Sequence, residues 1–166
     1  MENICKRGAE RKYKIFLLGA GPGVAEKCGN VLMERYPGIQ SVGSYSPPFG
    51  FQNDKKEIEK INFMLKESKA DLLFVGMGSP KQDYFIYENM AKYQIPVSFS
   101  MGAALDFIAG NVKRAPRWMI ECGLEWLYRV WQDPKRLWKR YFVHDMKIVP
   151  IFLLSLIHIS EPTRPR

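Results

Sequence analysis

Short continuous apolar runs alternate along this chain with stretches whose apolar residues recur every three or four positions. Ile15-Phe-Leu-Leu18, Leu72-Leu-Phe-Val75 and Val97-Ser-Phe-Ser-Met101 are the runs, and each reads as a strand buried in a parallel sheet. Ser41 to Tyr45 is a further short strand, closed by Ser46-Pro47-Pro48-Phe49-Gly50. One helix is predicted from Val24 to about Tyr36, where Pro37-Gly38 stops it. A second, capped by Asn53 or Asp54, runs to about Ser68 with Ile58, Ile61 and Leu65 on its apolar face. A third follows Gly76-Met77-Gly78-Ser79-Pro80, with Phe85, Ile86, Met90 and Tyr93 at helical spacing. Ser79 is its expected N-cap and Pro80 its first helical residue.

Strands alternating with helices predict an α/β chain, a Rossmann-like parallel sheet with helices on both faces and right-handed crossovers. The expected organisation has four parts. Residues 1–13 are polar and basic and are expected to fray. The sheet core occupies 14–111, and a basic, aromatic helical appendage occupies 112–149. Residues 154–166, with Leu154 to Arg164 reading like a translated sequencing-library adapter, are set aside.

Three of the strands run straight into glycine, at Leu18-Gly19, Val75-Gly76 and Met101-Gly102. In a doubly wound sheet those ends share one edge, so the glycines line one crevice at the carboxyl ends of the strands. Turn geometry alone also favours glycine after strands. Helix N-termini that open from such a crevice present free N–H groups to an anion. Lys81 and Gln82 fall in a first helical turn there, either as ligand contacts or as solvated residues, since a cation gains nothing from the dipole at that end. Gly19-x-Gly21-x-Gly23 is not the dinucleotide fingerprint, and Ser46-Pro47-Pro48 offers no acid for a ribose diol, which disfavours a dinucleotide cofactor. The P-loop pattern is missing, and so are an Asp-x-Asp pair and any His/carboxylate cluster for a metal. A diphosphate here would have to be neutralised by lysines, arginines and backbone N–H groups. No cofactor and no metal is implied.

Composition adds compartment and charge. A chain of 166 residues is long enough for one domain with a sizeable core. Three widely spaced cysteines without a CxxC argue against a disulfide framework or zinc site and fit a reducing compartment. No signal-peptide pattern is visible, and the apolar run from Ile148 to Ile159 falls short of a bilayer span. The net charge of +8 is concentrated: from Val112 to Lys147, nine cations against four acids leave +5. Leu137, Trp138, Tyr141, Phe142 and Val149 fall on one helical face, with Arg136, Lys139, Arg140 and Lys147 largely on the other. A basic amphipathic helix with interfacial aromatics reads as lying on an anionic membrane surface. Its tryptophans could equally pack as core, with Arg129 paired to Glu125. Basic residues between aromatics also suit nucleic acid, but no recognised module is present, and nucleic acid is not the expected partner.

Five consecutive stretches carry a family resemblance. They are Phe16-Leu-Leu-Gly-Ala-Gly-Pro-Gly-Val-Ala-Glu26, Gly76-Met-Gly-Ser-Pro-Lys-Gln82, Gly102-Ala-Ala-Leu-Asp-Phe-Ile-Ala-Gly110, Lys113-Arg-Ala-Pro-Arg-Trp118, and Gly123-Leu-Glu-Trp-Leu-Tyr-Arg129 with Pro134-Lys-Arg-Leu-Trp-Lys-Arg140. Together, from about Lys14 to Ile148, they resemble the WecG/TagA/CpsF glycosyltransferases. The resemblance implies inverting, metal-independent transfer of a sugar from UDP, with 14–111 as a partial nucleotide-sugar-binding core. It implies N-acetylmannosamine or its uronic acid as the sugar and an undecaprenyl-diphosphate-linked N-acetylglucosamine as acceptor. The products would feed teichoic acid or other cell-surface polysaccharide. The site would lie in the cytoplasm, on the inner face of the membrane.

Carried over by position, Gln82 is expected beside the donor sugar or diphosphate as the catalytic candidate. Asp106 is expected to accept from the uracil or ribose. Gly19, Gly21, Gly23, Gly76, Gly78, Ser79, Pro80, Lys81 and Gly102 are expected to line the donor site, and Arg129, Arg136 and Arg140 to meet the diphosphate. A guanidinium suits that leaving group because it pairs bidentately with it. The family's Ala-Asp-Gly-type segment, whose Asp is the expected general base, has no counterpart in Met1 to Lys14. The stretch is therefore expected to be the C-terminal portion of an enzyme, weakly active or inactive by itself. A nucleotide- or phosphate-binding module that docks on membranes without catalysis is the alternative, and the oligomeric state is left open.

Overall fold

The computed structural model describes residues 1–112, 115–132 and 134. The chain divides into two compact units, Met1–Lys113 and Arg114–Arg166. In the first unit, α1 (Glu2–Glu10), β1 (Lys14–Gly19), α2 (Val24–Arg35), β2 (Gln40–Tyr45), a 3-10 turn (Phe51–Asn53), α3 (Lys55–Ser68), β3 (Leu72–Gly76), α4 (Lys81–Tyr93), β4 (Val97–Ser100) and α5 (Ala104–Ile108) follow in order. The strands form one sheet in the order β2-β1-β3-β4, with every pairing parallel. This is the Rossmann-like α/β architecture that the hydrophobic pattern predicts.

The apolar runs explain themselves once the sheet forms. Successive strand residues point to opposite faces. Ile15, Leu17, Leu72 and Phe74 join Cys28, Leu32 and Leu105 in one core, while Phe16, Leu18, Leu73 and Val75 join Ile61, Leu65, Phe85 and Tyr93 in the other. Helices α1, α2 and α5 cover the first face, and α3 and α4 cover the second. Asp54 starts α3 as expected, accepting from the N–H groups of Lys56 at 3.0 Å and Glu57 at 3.3 Å.

Three local expectations are corrected. Residues 1–13 do not fray: α1 buries Cys5 and Gly8, with Ile4 and Ala9 packed on the same core as Ile39. Its apolar positions do recur at helical spacing, but they are small and the charged residues between them mask the pattern. Ser79 does not cap α4. Pro80 precedes the helix without a side-chain cap, and the Ser79 hydroxyl donates instead to Asp83 Oδ2 at 3.2 Å. Asp83, one turn on, offers that hydroxyl a charged acceptor. Met90 is 56% exposed, because the buried stripe of α4 runs through Gln82, Phe85, Asn89 and Tyr93. Asn89 belongs to it because its carboxamide accepts from Asn62 of α3 at 2.9 Å and donates to the Phe85 carbonyl at 2.9 Å.

The second unit contains α6 (Arg117–Glu121) and α7 (Glu125–Gln132). Trp118, Leu127 and Trp131 are exposed. The predicted helical face of Leu137, Trp138, Tyr141, Phe142 and Val149 lies outside the described residues, as do 154–166. No helix among the described residues is long and apolar enough to cross a membrane.

All three cysteines are free. Burial pushes the Cys5 thiol up to about 11 and the Cys28 thiol up to about 12, with Cys5 and then Asp106 adding to the rise at Cys28. A thiol whose folded value is raised contributes stability that is fully present below the unfolded value of 9.0 and lost as pH climbs towards 12. Urea titrations between pH 9 and pH 11 should show stability falling, at up to about 1.4 kcal/mol per pH unit for each thiol. Cys28→Ala should flatten that slope whatever it does to the absolute value. An unchanged slope would remove Cys28 as its cause.

Candidate functional site

The carboxyl ends of the four strands and the loops that leave them form the candidate site. The close approach of β1 and β3 there depends on two glycines. Gly19 pairs with Gly76 in register, and the next N–H, of Ala20, donates to the Gly76 carbonyl at 2.7 Å. Gly19 has φ +111, and a Cβ on it would stand 2.7 Å from the Gly76 oxygen. A Cβ on Gly76 would stand 2.6 Å from Leu105 of α5. Glycine is favoured at Gly19 by close backbone and a positive φ and at Gly76 by the Leu105 side chain, before any ligand is considered.

The first loop is pinned from the neighbouring strand. The Ser46 hydroxyl, just beyond β2, lies 3.2 Å from the Gly19 carbonyl and 3.0 Å from that of Gly21 and donates its proton to this pair. Gly23, at φ +75, precedes α2 without a side-chain cap, so the helix opens towards the crevice. Between these elements is a hollow of about 250 Å³, lined by Pro22, Gly23, Ala25, Glu26, Ser44, Tyr45 and Ser46. Sequence reasoning sought an acid at the end of β2 and found none. The structure brings one in from the first turn of α2: Glu26.

The other side of the crevice is tied by two consecutive side chains of α4. Gln82 is 6% exposed, and its side-chain oxygen accepts from the Gly102 N–H at 3.0 Å. Asp83 accepts from Ser79 through one oxygen and from Ser100, at the end of β4, through the other. The loops after β3 and β4 are thus held to each other through the first turn of α4. Gly78, at φ +80, and Gly102, at φ +52, have open space where a Cβ would be. Of the two readings of the first turn, Gln82 is no solvated residue. Lys81 is exposed and turns elsewhere, its Nζ 4.9 Å from the ring centre of Phe49.

The structure therefore brings together Gly19, Gly21, Gly23, Gly76, Gly78, Ser79, Pro80, Gln82 and Gly102 along one sheet edge. Asp106 is half-buried on α5, near enough to Cys28 of α2 to raise that thiol. Arg129 belongs to α7 in the second unit, and Arg136 and Arg140 lie outside the described residues. Among the described residues, no group of three His, Cys, Asp or Glu side chains could hold a metal ion. Glu26, Ser46, Asp83 and Ser100 were missed: Glu26 and Asp83 lie in the first turns of α2 and α4, Ser100 ends β4 and Ser46 follows β2, and hydrophobic periodicity does not say which polar residue finds a partner.

Residues 1–161 match the model of the glycosyl transferase WecG/TagA/CpsF family. The chain belongs to the WecG/TagA/CpsF family. It is 34% identical over 148 residues to an N-acetylglucosaminyldiphosphoundecaprenol N-acetyl-beta-D-mannosaminyltransferase of Bacillus subtilis (strain 168), covering 89% of this chain and 53% of that protein. A protein of the same description from Staphylococcus aureus (strain MW2) is 33% identical over 156 residues, covering 94% of this chain and 57% of that protein. The chain spans about half the length of the curated relatives it matches.

In this WecG/TagA/CpsF chain the glycine loops should differ sharply in tolerance. Gly19→Ala forces a Cβ against backbone at a positive φ and should lower the unfolding free energy by about 2–5 kcal/mol. Gly23→Ala meets open space and should cost only the backbone term, about 1 kcal/mol. Urea denaturation of both variants checks this, and equal losses would refute the close-approach account.

Proposed function

We propose that this chain carries the donor side of a glycosyltransferase site, in which the crevice at the sheet's carboxyl edge holds a UDP-sugar without a metal. The observation that carries the reading is the convergence of three glycine loops, one pinned by Ser46 and two tied through Gln82 and Asp83, in a member of this family. The N–H groups of Gly78 and Ser79 suit a diphosphate and need little reorganisation when charge develops on it, while the Gly102 N–H is held by Gln82. In this reading Gly78, Ser79, Pro80 and Gly102 face the diphosphate. Gln82 keeps its oxygen on Gly102, which leaves its NH₂ group as the part able to donate to the donor. Glu26 and Ser46, beside the smaller hollow, are suited to ribose hydroxyls, and Asp106 to the uracil or ribose from α5. The guanidinium groups of Arg129, Arg136 and Arg140 are assigned by their chemistry to the leaving diphosphate.

The names of the relatives support N-acetylmannosamine as the sugar and the lipid-linked acceptor, while the uronic acid, the inversion and the membrane face rest on the family resemblance. The sugar is N-acetylmannosamine or its uronic acid, the acceptor is undecaprenyl-diphosphate-linked N-acetylglucosamine, and transfer inverts the anomeric centre. The reaction takes place on the inner face of the cell membrane, where exposed Trp118, Leu127 and Trp131 and the surplus cations from Val112 to Lys147 favour an anionic surface. The proton of the acceptor hydroxyl is assigned to no residue of this chain.

Calorimetric titration tests the donor site. UDP should bind equally well, within about twofold, in magnesium and in a chelator, and AMP and NAD should bind at least about tenfold more weakly, a difference of roughly 1.4 kcal/mol. Strict metal dependence or preference for NAD would overturn the reading. UDP binding without acceptor turnover, once the relatives' full length is supplied, would favour the non-catalytic docking module.

A further inference from the structure

The larger hollow of the first unit, about 470 Å³, touches none of the three glycine loops. It opens between the 3-10 turn, α3 and α4, and its lining includes Phe51, Asn53, Lys81, Tyr84, Glu88 and Asn89. We infer that this hollow is a second ligand subsite, one that takes a pyranose sugar bearing a phosphate.

The composition of its walls selects that chemistry. A pyranose presents an apolar face of C–H groups and an equator of hydroxyls, so it needs a flat apolar surface beside fixed donors and acceptors. Tyr84 is 63% exposed and supplies such a surface, and the ring of Phe51 stands edge-on to that of Phe85 with centroids 6.0 Å apart. Asn89, only 2% exposed, has its oxygen engaged by Asn62 and its NH₂ group by the Phe85 carbonyl, so it gives the hollow a fixed floor and makes no ligand contact of its own. Asn53 and the Glu88 carboxylate add hydrogen-bonding groups suited to vicinal hydroxyls. A wholly apolar ligand would strip water from these groups without replacing it, at a cost that argues against one. The size falls within the range of small-molecule sites.

Lys81 supplies the charge. It directly follows the Gly78-Ser79-Pro80 loop yet lines this hollow, with its ammonium over the fully exposed ring of Phe49. An anion on the sugar would therefore meet Lys81. A donor sugar and an acceptor sugar both carry phosphate, so the chemistry is common to both. The choice of source rests on the sugar-transfer reading above, whereas the subsite itself does not.

N-acetylglucosamine 1-phosphate is the probe, titrated by NMR into the 166-residue chain. Saturable binding is expected, weakened about three- to tenfold by Tyr84→Ala and about tenfold by Glu88→Ala, both exposed α4 positions where folding should survive. Circular dichroism and the stability of each variant confirm that it is folded. A saturating UDP-sugar that leaves the affinity unchanged assigns the subsite to the acceptor. Displacement by a UDP-sugar but not by UDP assigns it to the donor. Loss of UDP binding with sugar phosphate binding intact would remove the nucleotide reading alone. No saturable binding, or folded Tyr84→Ala and Glu88→Ala variants that bind as the parent does, would overturn the inference.

Discussion

The contact on which the crevice depends is the approach of two backbones at Gly19 and Gly76. The Ala20 N–H reaches the Gly76 carbonyl because Gly19 carries no Cβ to strike it, and Leu105 of α5 fills the space that a side chain on Gly76 would take. Ser46 can then reach the carbonyls of Gly19 and Gly21. A side chain at either glycine would push β1, β3 and α5 apart at the edge where the loops converge. Glycine after these strands is thus first a packing requirement.

On the other side, the constraint is polar. Gln82 and Asp83 are neighbours in the first turn of α4, and each holds the end of β4 by a different bond, one to a backbone N–H and one to a hydroxyl. A buried carboxamide is costly to leave unpaired, so the Gly102 loop is held where Gln82 places it. The crevice is consequently braced by side chains on both flanks, which favours a site formed before ligand arrives over one that closes around it. The same helix lines the larger hollow with Lys81 and Tyr84.

The sheet, its parallel sense, the positions of α2, α3 and α4 and the three glycine ends were legible in the sequence. Each rests on a local, periodic signal: continuous apolar runs, apolar spacing of three and four, and breakers at Pro37-Gly38. Family membership was legible for a related reason, since the stretches that carry it are contiguous. What only the tertiary structure decided depends on residues distant in sequence and adjacent in space. Cys5 and Gly8 anchor α1 because Ile39 and Cys28 are there to receive them. Asn89 replaces Met90 in the buried stripe of α4 because Asn62 of α3 stands opposite. Glu26 becomes the acid beside Ser46 because α2 begins at the edge where the parallel strand β2 ends, and Lys81 stands over Phe49 of the loop after β2. Periodicity reports which face of an element is buried. It does not report which polar partner waits on the other side, and that partner is set by the packing of elements that the sequence lists far apart.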